Sequence, residues 1–186
     1  MAAEVLNIPR SRVFSSSTGV IGEELPHYLI IDALGKMVAD KTKQDIFEAA
    51  KAIMTTDTYP KGSVIKVLTN QGEITIAGIA KGSGMIAPNM ATMLVYLFTD
   101  ASVKKDVLQS YLSRINERTF NSISVDGDTS TSDTVLMAAT GKSGIRIKKN
   151  NKNFLQGLAS LMTDLAHQIV KDGEGASKFV EINIVN

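Results

Sequence analysis

Runs of hydrophobic residues predict three β-strands in the middle of the chain. Residues 64–68 and 73–79 are rich in β-branched side chains and flank the turn-forming sequence Thr-Asn-Gln-Gly at 69–72, which is typical of a β-hairpin. Residues 92–98 form an almost continuous apolar run. Such a run favours a strand that is buried on both faces of a sheet.

Apolar residues at helical spacing predict three amphipathic helices. The first covers residues 46–53 and follows Thr42, which we expect to be its N-cap. The second runs from a cap at Ser102 to about Thr119, with an apolar stripe along one side. The third, over 153–171, has the clearest stripe of the three.

The remaining segments complete a layered α/β domain. Residues before Pro26 are loop-rich, 122–138 read as two short strands, 141–152 as a polar surface connection, and 178–185 as a last strand. Strands separated by amphipathic helices predict an α/β (α+β layered) fold with mixed sheets. A chain of 186 residues without internal repeats is expected to form one domain, 1–186.

Composition excludes several functional classes. The chain has 20 basic and 19 acidic residues and a net charge of +1, so no nucleic-acid partner is predicted. The absence of cysteine excludes disulfides and thiolate nucleophiles and fits a reducing compartment. Residues 1–10 lack the apolar core of a signal peptide, and all apolar runs are too short to span a bilayer. We therefore expect a cytoplasmic protein that does not contact membranes.

No metal site is predicted. His27 and His167 are the two histidines, and neither stands at a spacing typical of metal ligands or of a catalytic triad. Residues 126–130 combine acids and hydroxyls, but a calcium-binding loop starting at Asp126 would need a glycine at its sixth position and a closing glutamate, and the chain has neither there. A hydrogen-bonded turn is the better interpretation of this segment.

Thr92 is the candidate nucleophile. Taken alone, a threonine at the start of a strand is most often only a good β-former. If the bond between Ala91 and Thr92 were cut, however, Thr92 would become an N-terminal residue that carries a hydroxyl nucleophile and an amine base together. Which interpretation holds depends on the motifs elsewhere in the chain.

Six motifs, in this order, closely resemble the glutamate N-acetyltransferase (ornithine acetyltransferase) family of arginine biosynthesis. The resemblance covers nearly the whole chain, and six ordered motifs make it specific. The motifs are Ser-Thr-Gly-Val-Ile-Gly at 17–22, Met-Thr-Thr-Asp-Thr at 54–58, Lys-Gly-Ser-Gly-Met-Ile at 81–86, Asn-Met-Ala-Thr-Met-Leu at 89–94, Val-Asp-Gly-Asp-Thr-Ser-Thr at 125–131 and Asp-Gly-Glu-Gly-Ala at 172–176.

The resemblance implies an N-terminal-nucleophile-type acetyltransferase scaffold. Precursors of this family cleave themselves at the position of Ala91 and Thr92, which would divide the chain into an α part, 1–91, and a β part, 92–186. Acetyl transfer from N2-acetylornithine to glutamate would then follow a ping-pong course through acetyl-Thr92. No cofactor is implied, although some members also accept acetyl-coenzyme A as donor. Family members assemble as oligomers of α and β pieces.

The resemblance also implies roles for individual residues. Thr18 and Gly19 match the family's oxyanion hole, whose donors stabilise the tetrahedral intermediate. Substrate-binding positions match Thr55, Lys81 and Glu174, where a cation suits an α-carboxylate and a carboxylate suits an ammonium group. Further residues are expected to support the site structurally: Asp126, Asp128 and Thr129. Ser132 stands where the family commonly has asparagine.

Two alternatives remain open at this stage. Family precursors are longer at both ends, which predicts that this chain is a truncated form that is inactive or is completed by a partner. The other alternative is an N-terminal-threonine amidohydrolase or aminopeptidase, in which water would replace glutamate as the acceptor.

Overall fold

The computed structural model describes residues 1–39, 45–88 and 92–183. A four-stranded mixed sheet in the order β1-β2-β3-β5 forms its centre, and a two-stranded parallel pair, β4 and β6, lies beside it. The strands are β1 (Lys61–Thr69), β2 (Gly72–Lys81), β3 (Leu94–Thr99), β4 (Ser102–Val103), β5 (Thr134–Ala139) and β6 (Arg146–Ile147). The helices are α1 (Ala2–Val5), α2 (His27–Ala39), α3 (Ile46–Ala52), α4 (Lys105–Asn116) and α5 (Lys152–Lys171), with 3₁₀ turns at Arg10–Arg12 and Phe120–Ser122.

The predicted hairpin is confirmed. β1 and β2 pair antiparallel, with Thr69 opposite Gly72 at the closed end. The Thr69 hydroxyl donates to the Gly72 carbonyl over 2.7 Å and accepts from the Gln71 amide over 3.1 Å. Gly72 has a φ of +130°, a conformation that only glycine adopts easily. The turn therefore fixes the register of the two strands that lead to the site.

The core lies between the sheet and α5. The apolar stripe of this helix is fully buried, as the sequence predicts, and Asn151 caps its first turn by accepting from the Phe154 amide. Two glycines allow the close approach: a Cβ at Gly78 of β2 would lie 3.0 Å from Leu165 of α5, and one at Gly157 of α5 would lie 2.4 Å from Val67 of β1. A side chain at either position would crowd these contacts, so glycine permits the close packing of α5 on the sheet.

The opposite face of the sheet is only partly covered. Val64 and Leu68 of β1 are 68% and 72% exposed, and Phe98 of β3 is 39% exposed. The prediction that the third strand is buried on both faces is therefore wrong at Phe98, although it holds for most of β3. Sequence hydrophobicity does not distinguish a covered face from an open one.

The N-terminal region contains a helix that the hydrophobic pattern did not predict. Residues up to Pro26 are mostly irregular, as expected, but α2 follows them and buries none of its side chains. Leu29 and Ile30 are 57% and 50% exposed. No helix within the described ranges is both long and apolar enough to cross a membrane.

Two predicted helix caps differ from the structure. Thr42 lies outside the described residues, and the N-cap of α3 is Asp45, whose carboxylate accepts from the Phe47 amide over 3.0 Å. Ser102 does not cap α4, because it belongs to β4 and pairs with Arg146. Its amide is therefore used in strand pairing before the chain turns into the helix.

Two predicted strand regions also differ. Only one strand, β5, forms within 122–138. Residues 123–133 are an irregular segment that lies against the loop after β2, where the Val125 amide donates to the Ile86 carbonyl. Residues 178–183 form no strand, and 184–185 lie outside the described residues. The 178–183 segment instead lies beside α5, where the Phe179 ring contacts the His167 ring at 5.2 Å between centroids.

Candidate active site

Thr92 is buried just before β3. The residue is 6% exposed, and its Oγ1 has no hydrogen-bond partner among the described residues. The Thr92 amide donates to the Met85 carbonyl over 2.8 Å, which holds the residue in place. A buried hydroxyl without a partner is costly and rare. Such a group is a candidate for a chemical rather than a structural role.

The segment opposite Thr92 is a glycine loop, 82–85, whose backbone requires unusual conformations. Gly82 has a φ of +154° and Met85 a φ of +52°. A Cβ at Gly82 would lie 3.2 Å from Ile86 and 3.3 Å from Met93. Glycine is therefore needed both for the backbone angle and for the close packing beside Thr92.

Asp126 holds this loop from the other side. Its carboxylate accepts from the Met85 amide over 2.6 Å, from the Ile86 amide over 3.1 Å and from the Asp128 amide over 3.1 Å. Burial alone would raise the pKa of Asp126, but these backbone hydrogen bonds outweigh it and lower the pKa below its ordinary value. Asp126 therefore supports the site as an ionised carboxylate.

Glu174 lies on the open side of the glycine loop. Its amide donates to the Ser83 carbonyl over 2.7 Å. The exposed carboxylate reaches over Gly84, with Oε2 only 2.8 Å from where a Cβ at Gly84 would stand. No ion pair joins this carboxylate to a residue in the described ranges. It is thus an anionic group that is available to a ligand.

Lys81 is the last residue of β2 and pairs with Leu94, which follows Thr92 by two residues in the chain. Lys81 is only 2% exposed. Burial lowers the pKa of Lys81, and the nearby positive charge of Lys61 lowers it further. The Asp57 carboxylate, whose Oδ2 lies 3.9 Å from Lys81 Nζ, raises the pKa but does not outweigh burial. The lowered pKa indicates a cation that its surroundings only partly compensate.

Sequence reasoning missed a buried ion pair network beside this lysine. Lys61, which is fully buried, places Nζ 2.6 Å from Asp57 Oδ1 and 2.5 Å from Asp172 Oδ2. The Asp57 carboxylate also accepts from the Gly82 amide over 2.7 Å. We call these residues, together with Lys81, the buried charge cluster. It ties the start of the glycine loop to the end of α5.

Both carboxylates of the cluster are held in the ionised form. For Asp57, burial raises the pKa, but hydrogen bonds from Gly82, Lys61 and the Thr55 amide outweigh it and lower the pKa. For Asp172, burial is likewise outweighed, here by Lys61 and by the hydroxyl and amide of Thr58. Asp57 and Asp172 both fall within recognised motifs. Asp172 is 111 positions from Lys61, however, so no local pattern in the sequence indicates that the two side chains are paired.

Thr55 is exposed, and its contact with the buried charge cluster is made by its backbone amide, which donates to Asp57 over 3.1 Å. The hydroxyl that reaches the glycine loop belongs to the next residue, Thr56, which shares a hydrogen bond of 2.5 Å with Ser83. Sequence alone cannot tell which of three neighbouring threonines points inward.

Thr18 and Gly19 are not brought into this arrangement. No hydrogen bond joins either of them to another residue in the described ranges, and a Cβ at Gly19 would have nothing within 4 Å. The nearest anchor is Ser16, whose hydroxyl hydrogen-bonds the Tyr96 hydroxyl over 2.5 Å. Ala91 lies outside the described residues.

The site contains groups for acyl transfer and none that converge on a metal ion. Among residues 1–39, 45–88 and 92–183, no three His, Asp or Glu side chains are grouped as a metal site would require. The arrangement brings together an unpartnered hydroxyl, a buried cation and an exposed carboxylate around one glycine loop. A substrate with a carboxylate and an ammonium group would find partners for both charges.

Curated proteins are similar to this chain along nearly its whole length. The chain is 54% identical over 182 residues to the arginine biosynthesis bifunctional protein ArgJ of Ruegeria pomeroyi, covering 98% of this chain and 44% of that protein. It is 45% identical over 185 residues to the glutamate N-acetyltransferase of Methanocaldococcus jannaschii, covering 98% and 46%. The chain therefore spans about half the length of the curated relatives it matches.

A solved structure and a family model also match. A crystal structure of the arginine biosynthesis bifunctional protein ArgJ from Bacillus halodurans is 42% identical over 45% of this chain and 41% of that one, with a TM-score of 0.43. The model of the ArgJ family matches residues 1–186. On the extent of that match, this chain belongs to the ArgJ family.

Proposed function

We propose that this chain carries the nucleophile and part of the substrate site of a glutamate N-acetyltransferase. The enzyme would move the acetyl group of N2-acetylornithine to glutamate through acetyl-Thr92, after cleavage between Ala91 and Thr92. The observation that carries the proposal is the buried hydroxyl of Thr92, which has no partner within 1–39, 45–88 and 92–183. The name of the M. jannaschii relative supports the reaction class.

Cleavage would use the same hydroxyl. Thr92 Oγ1 attacks the Ala91 carbonyl carbon, the peptide C–N bond breaks, and the nitrogen takes up the proton as the acyl group moves to oxygen. Water then hydrolyses this ester, which leaves a carboxylate on Ala91 and restores the hydroxyl. The freed amine of Thr92 then acts as base for its own hydroxyl.

Acetyl transfer would repeat this chemistry on the substrate. Thr92 Oγ1 attacks the acetyl carbon of N2-acetylornithine, the amide C–N bond breaks, and ornithine leaves with the proton on its α-nitrogen. The α-amine of glutamate then attacks the ester carbon, the ester C–O bond breaks, Thr92 Oγ1 takes up the proton that the amine loses, and N-acetylglutamate leaves. An amide is exchanged for an amide through an ester, so the exchange itself needs no energy-rich donor, although acetyl-coenzyme A is a possible second donor.

The charges around the glycine loop suit these substrates. Lys81 supplies a cation for the α-carboxylate that both substrates carry, and Glu174 supplies an anion for the side-chain ammonium of ornithine. Thr55 is the third proposed substrate-binding residue. Thr18 and Gly19 are the proposed oxyanion donors, which requires the N-terminal segment to close over Thr92 in the working enzyme. We further propose that the active form is an oligomer of α and β pieces.

Mass spectrometry combined with an acetyl-transfer assay tests the proposal. Cleavage should convert the chain into pieces 1–91 and 92–186, and acetyl groups should pass from N2-acetylornithine to glutamate. The matched control is Thr92→Ala, which should remain intact and transfer nothing. A chain that stays intact on long incubation and transfers no acetyl group would overturn the proposal.

The same assay separates the alternatives. Release of free acetate at equal rates with and without glutamate would indicate an amidohydrolase that uses water as acceptor. Cleavage without transfer, followed by transfer once the C-terminal half of a relative is added, would indicate a chain that is completed by a partner.

A further inference from the structure

Two buried lysines share the carboxylate of Asp57 unequally. Lys61 Nζ lies 2.6 Å from Oδ1, whereas Lys81 Nζ lies 3.9 Å from Oδ2. The first distance is a direct, charge-assisted hydrogen bond, and the second is too long for one. Lys81 is therefore beside an anion without being bonded to it.

The inequality has a structural cause. Asp57 Oδ1 accepts from both Lys61 and the Gly82 amide, and Oδ2 accepts from the Thr55 amide. Lys61 is held on its other side by Asp172 at 2.5 Å. With Lys61 fixed between two carboxylates, most of the hydrogen-bonding capacity of Asp57 is already used.

We propose that Lys61 is a positioning residue for substrate binding: by occupying Asp57, it keeps the Lys81 ammonium free to bind the α-carboxylate of the substrate. This inference rests on the proposed function, in which Lys81 is that cation. Lys61 itself touches no substrate. Its effect passes through Asp57, a carboxylate that both lysines face.

Replacing Lys61 by methionine should lower substrate affinity. Without Lys61, Asp57 is free to bond Lys81 directly, and the substrate carboxylate must compete with a buried anion. The KM for glutamate should rise at least about tenfold while kcat changes little, the pattern for a lost contact that is equal in ground and transition states. Cleavage at Thr92 involves no substrate carboxylate and should persist.

The matched control is Lys66→Met. Lys66 lies on the same strand but is exposed and pairs with Glu73 at 2.9 Å on the open face of the sheet. This substitution removes the same charge and adds the same side chain, so its KM should equal that of the unmodified protein. Equal KM values for Lys61→Met and Lys66→Met would overturn the proposal.

A second variant covers the case in which Lys61→Met does not fold. That substitution leaves two buried carboxylates without their common partner, which is strongly destabilising. The double variant Lys61→Met/Asp172→Asn removes one charge of each sign and leaves Asp57 facing Lys81 alone. It should show the same rise in KM, and an unchanged KM would count against the proposal just as clearly.

A measurement that does not depend on turnover separates this inference from the proposed function. NMR of labelled lysine side chains, assigned with Lys81→Arg, reports the pKa of Lys81, which faces Asp57 and Lys61. That pKa should rise in the double variant, because the repelling cation is gone and Asp57 moves closer. An unchanged or lower pKa would mean that Lys61 does not act on Lys81 and would overturn the proposal. If the unmodified chain transfers no acetyl group even after the C-terminal half of a relative is added, the proposed function is wrong, and the pKa alone then decides whether Lys61 controls Lys81.

Discussion

The Thr92 site and the N-terminal region, 1–39, both carry motifs of the family but differ in how much protein surrounds them. Around Thr92, the glycine loop, β2, β3 and the end of α5 pack closely enough to bury two lysines and two carboxylates. In the N-terminal region, Gly19 has nothing within 4 Å and α2 buries no side chain. The nucleophile is thus positioned by the core, whereas the proposed oxyanion donors are not.

Two parts of the proposed mechanism, the nucleophile with its charged neighbours and the oxyanion donors, are therefore structurally separate in this chain. Nucleophile, cation and carboxylate depend on long-range contacts within 45–183. The oxyanion donors Thr18 and Gly19 depend on a segment whose nearest hydrogen bond to the sheet is made by Ser16. Variants near Thr92 should therefore change cleavage or stability, whereas variants of the oxyanion donors should change the rate of acetyl transfer without changing stability.

The largest effect is expected from Thr92→Ala. Removing the hydroxyl removes the nucleophile, so both cleavage and acetyl transfer should be abolished, as judged by intact mass and by product formation. Because this hydroxyl makes no hydrogen bond to any residue that the structure describes, the free energy of unfolding should fall little. Thr92→Ser retains a hydroxyl and should retain slow cleavage. A cleaved Thr92→Ala chain would contradict the role of this residue.

The next effect, on stability, is expected from Asp57→Asn. Breaking a buried ion pair typically costs about 3–5 kcal/mol, and this carboxylate also holds the Gly82 amide. Denaturant unfolding should show a loss of that order. The exposed pair of Lys66 and Glu73 is the control, since Glu73→Gln should leave the unfolding midpoint unchanged. Equal losses of unfolding free energy in Asp57→Asn and Glu73→Gln would mean that the buried ion pair stabilises the fold no more than the exposed one.

How far the sequence predicts this site follows from the range of the contacts involved. The hairpin, β3 and α5 were predicted because their signals are local: β-branched runs, a turn containing Gly72, and an apolar stripe. Lys61 was missed because its two partners lie on other elements, one of them 111 positions away. A lysine at the start of a strand is, by pattern alone, a surface residue.

The N-terminal region illustrates a second limit. The motif that contains Thr18 and Gly19 marks them as functional by resemblance, but no local rule says what they pack against. The apolar residues of α2, such as Leu29 and Ile30, resemble core residues in the sequence and are exposed in the structure. Hydrophobic pattern identifies a face that is suited to burial, not whether anything covers it.

Thr18→Val tests whether the exposed segment takes part in catalysis. The two side chains have nearly the same shape, so only the hydroxyl is lost. If Thr18 donates to the oxyanion, the rate of acetyl transfer should fall about 10²–10³-fold, the usual cost of one such donor. Thermal unfolding should not change, since the residue makes no hydrogen bond to the rest of the described chain. An unchanged rate would exclude the Thr18 hydroxyl from the oxyanion hole.

A smaller effect is expected from pH. The pKa of Asp57 in the fold lies below its ordinary value of 3.8, so the stabilisation by this carboxylate is fully present above the ordinary pKa. It is lost as pH falls through the lower folded-state value. The stability gap between the unmodified protein and Asp57→Asn should therefore be widest at neutral pH and should narrow below about pH 4. A gap that widens on acidification would mean that Asp57 is protonated in the fold.

The smallest effect is expected from Leu29→Ala, and its comparison with Leu165→Ala separates the two regions most directly. Leu165 on α5 is fully buried, and Leu29 on α2 is 57% exposed, so the same substitution by alanine samples both environments. Leu165→Ala should cost about 2–5 kcal/mol of unfolding free energy because it leaves a cavity in the core. Leu29→Ala should change it by no more than about 0.5 kcal/mol. If Leu29→Ala instead costs as much as Leu165→Ala, α2 is packed against protein in solution. The N-terminal region would then be as well supported as the Thr92 site, and the separation of nucleophile from oxyanion donors would no longer hold.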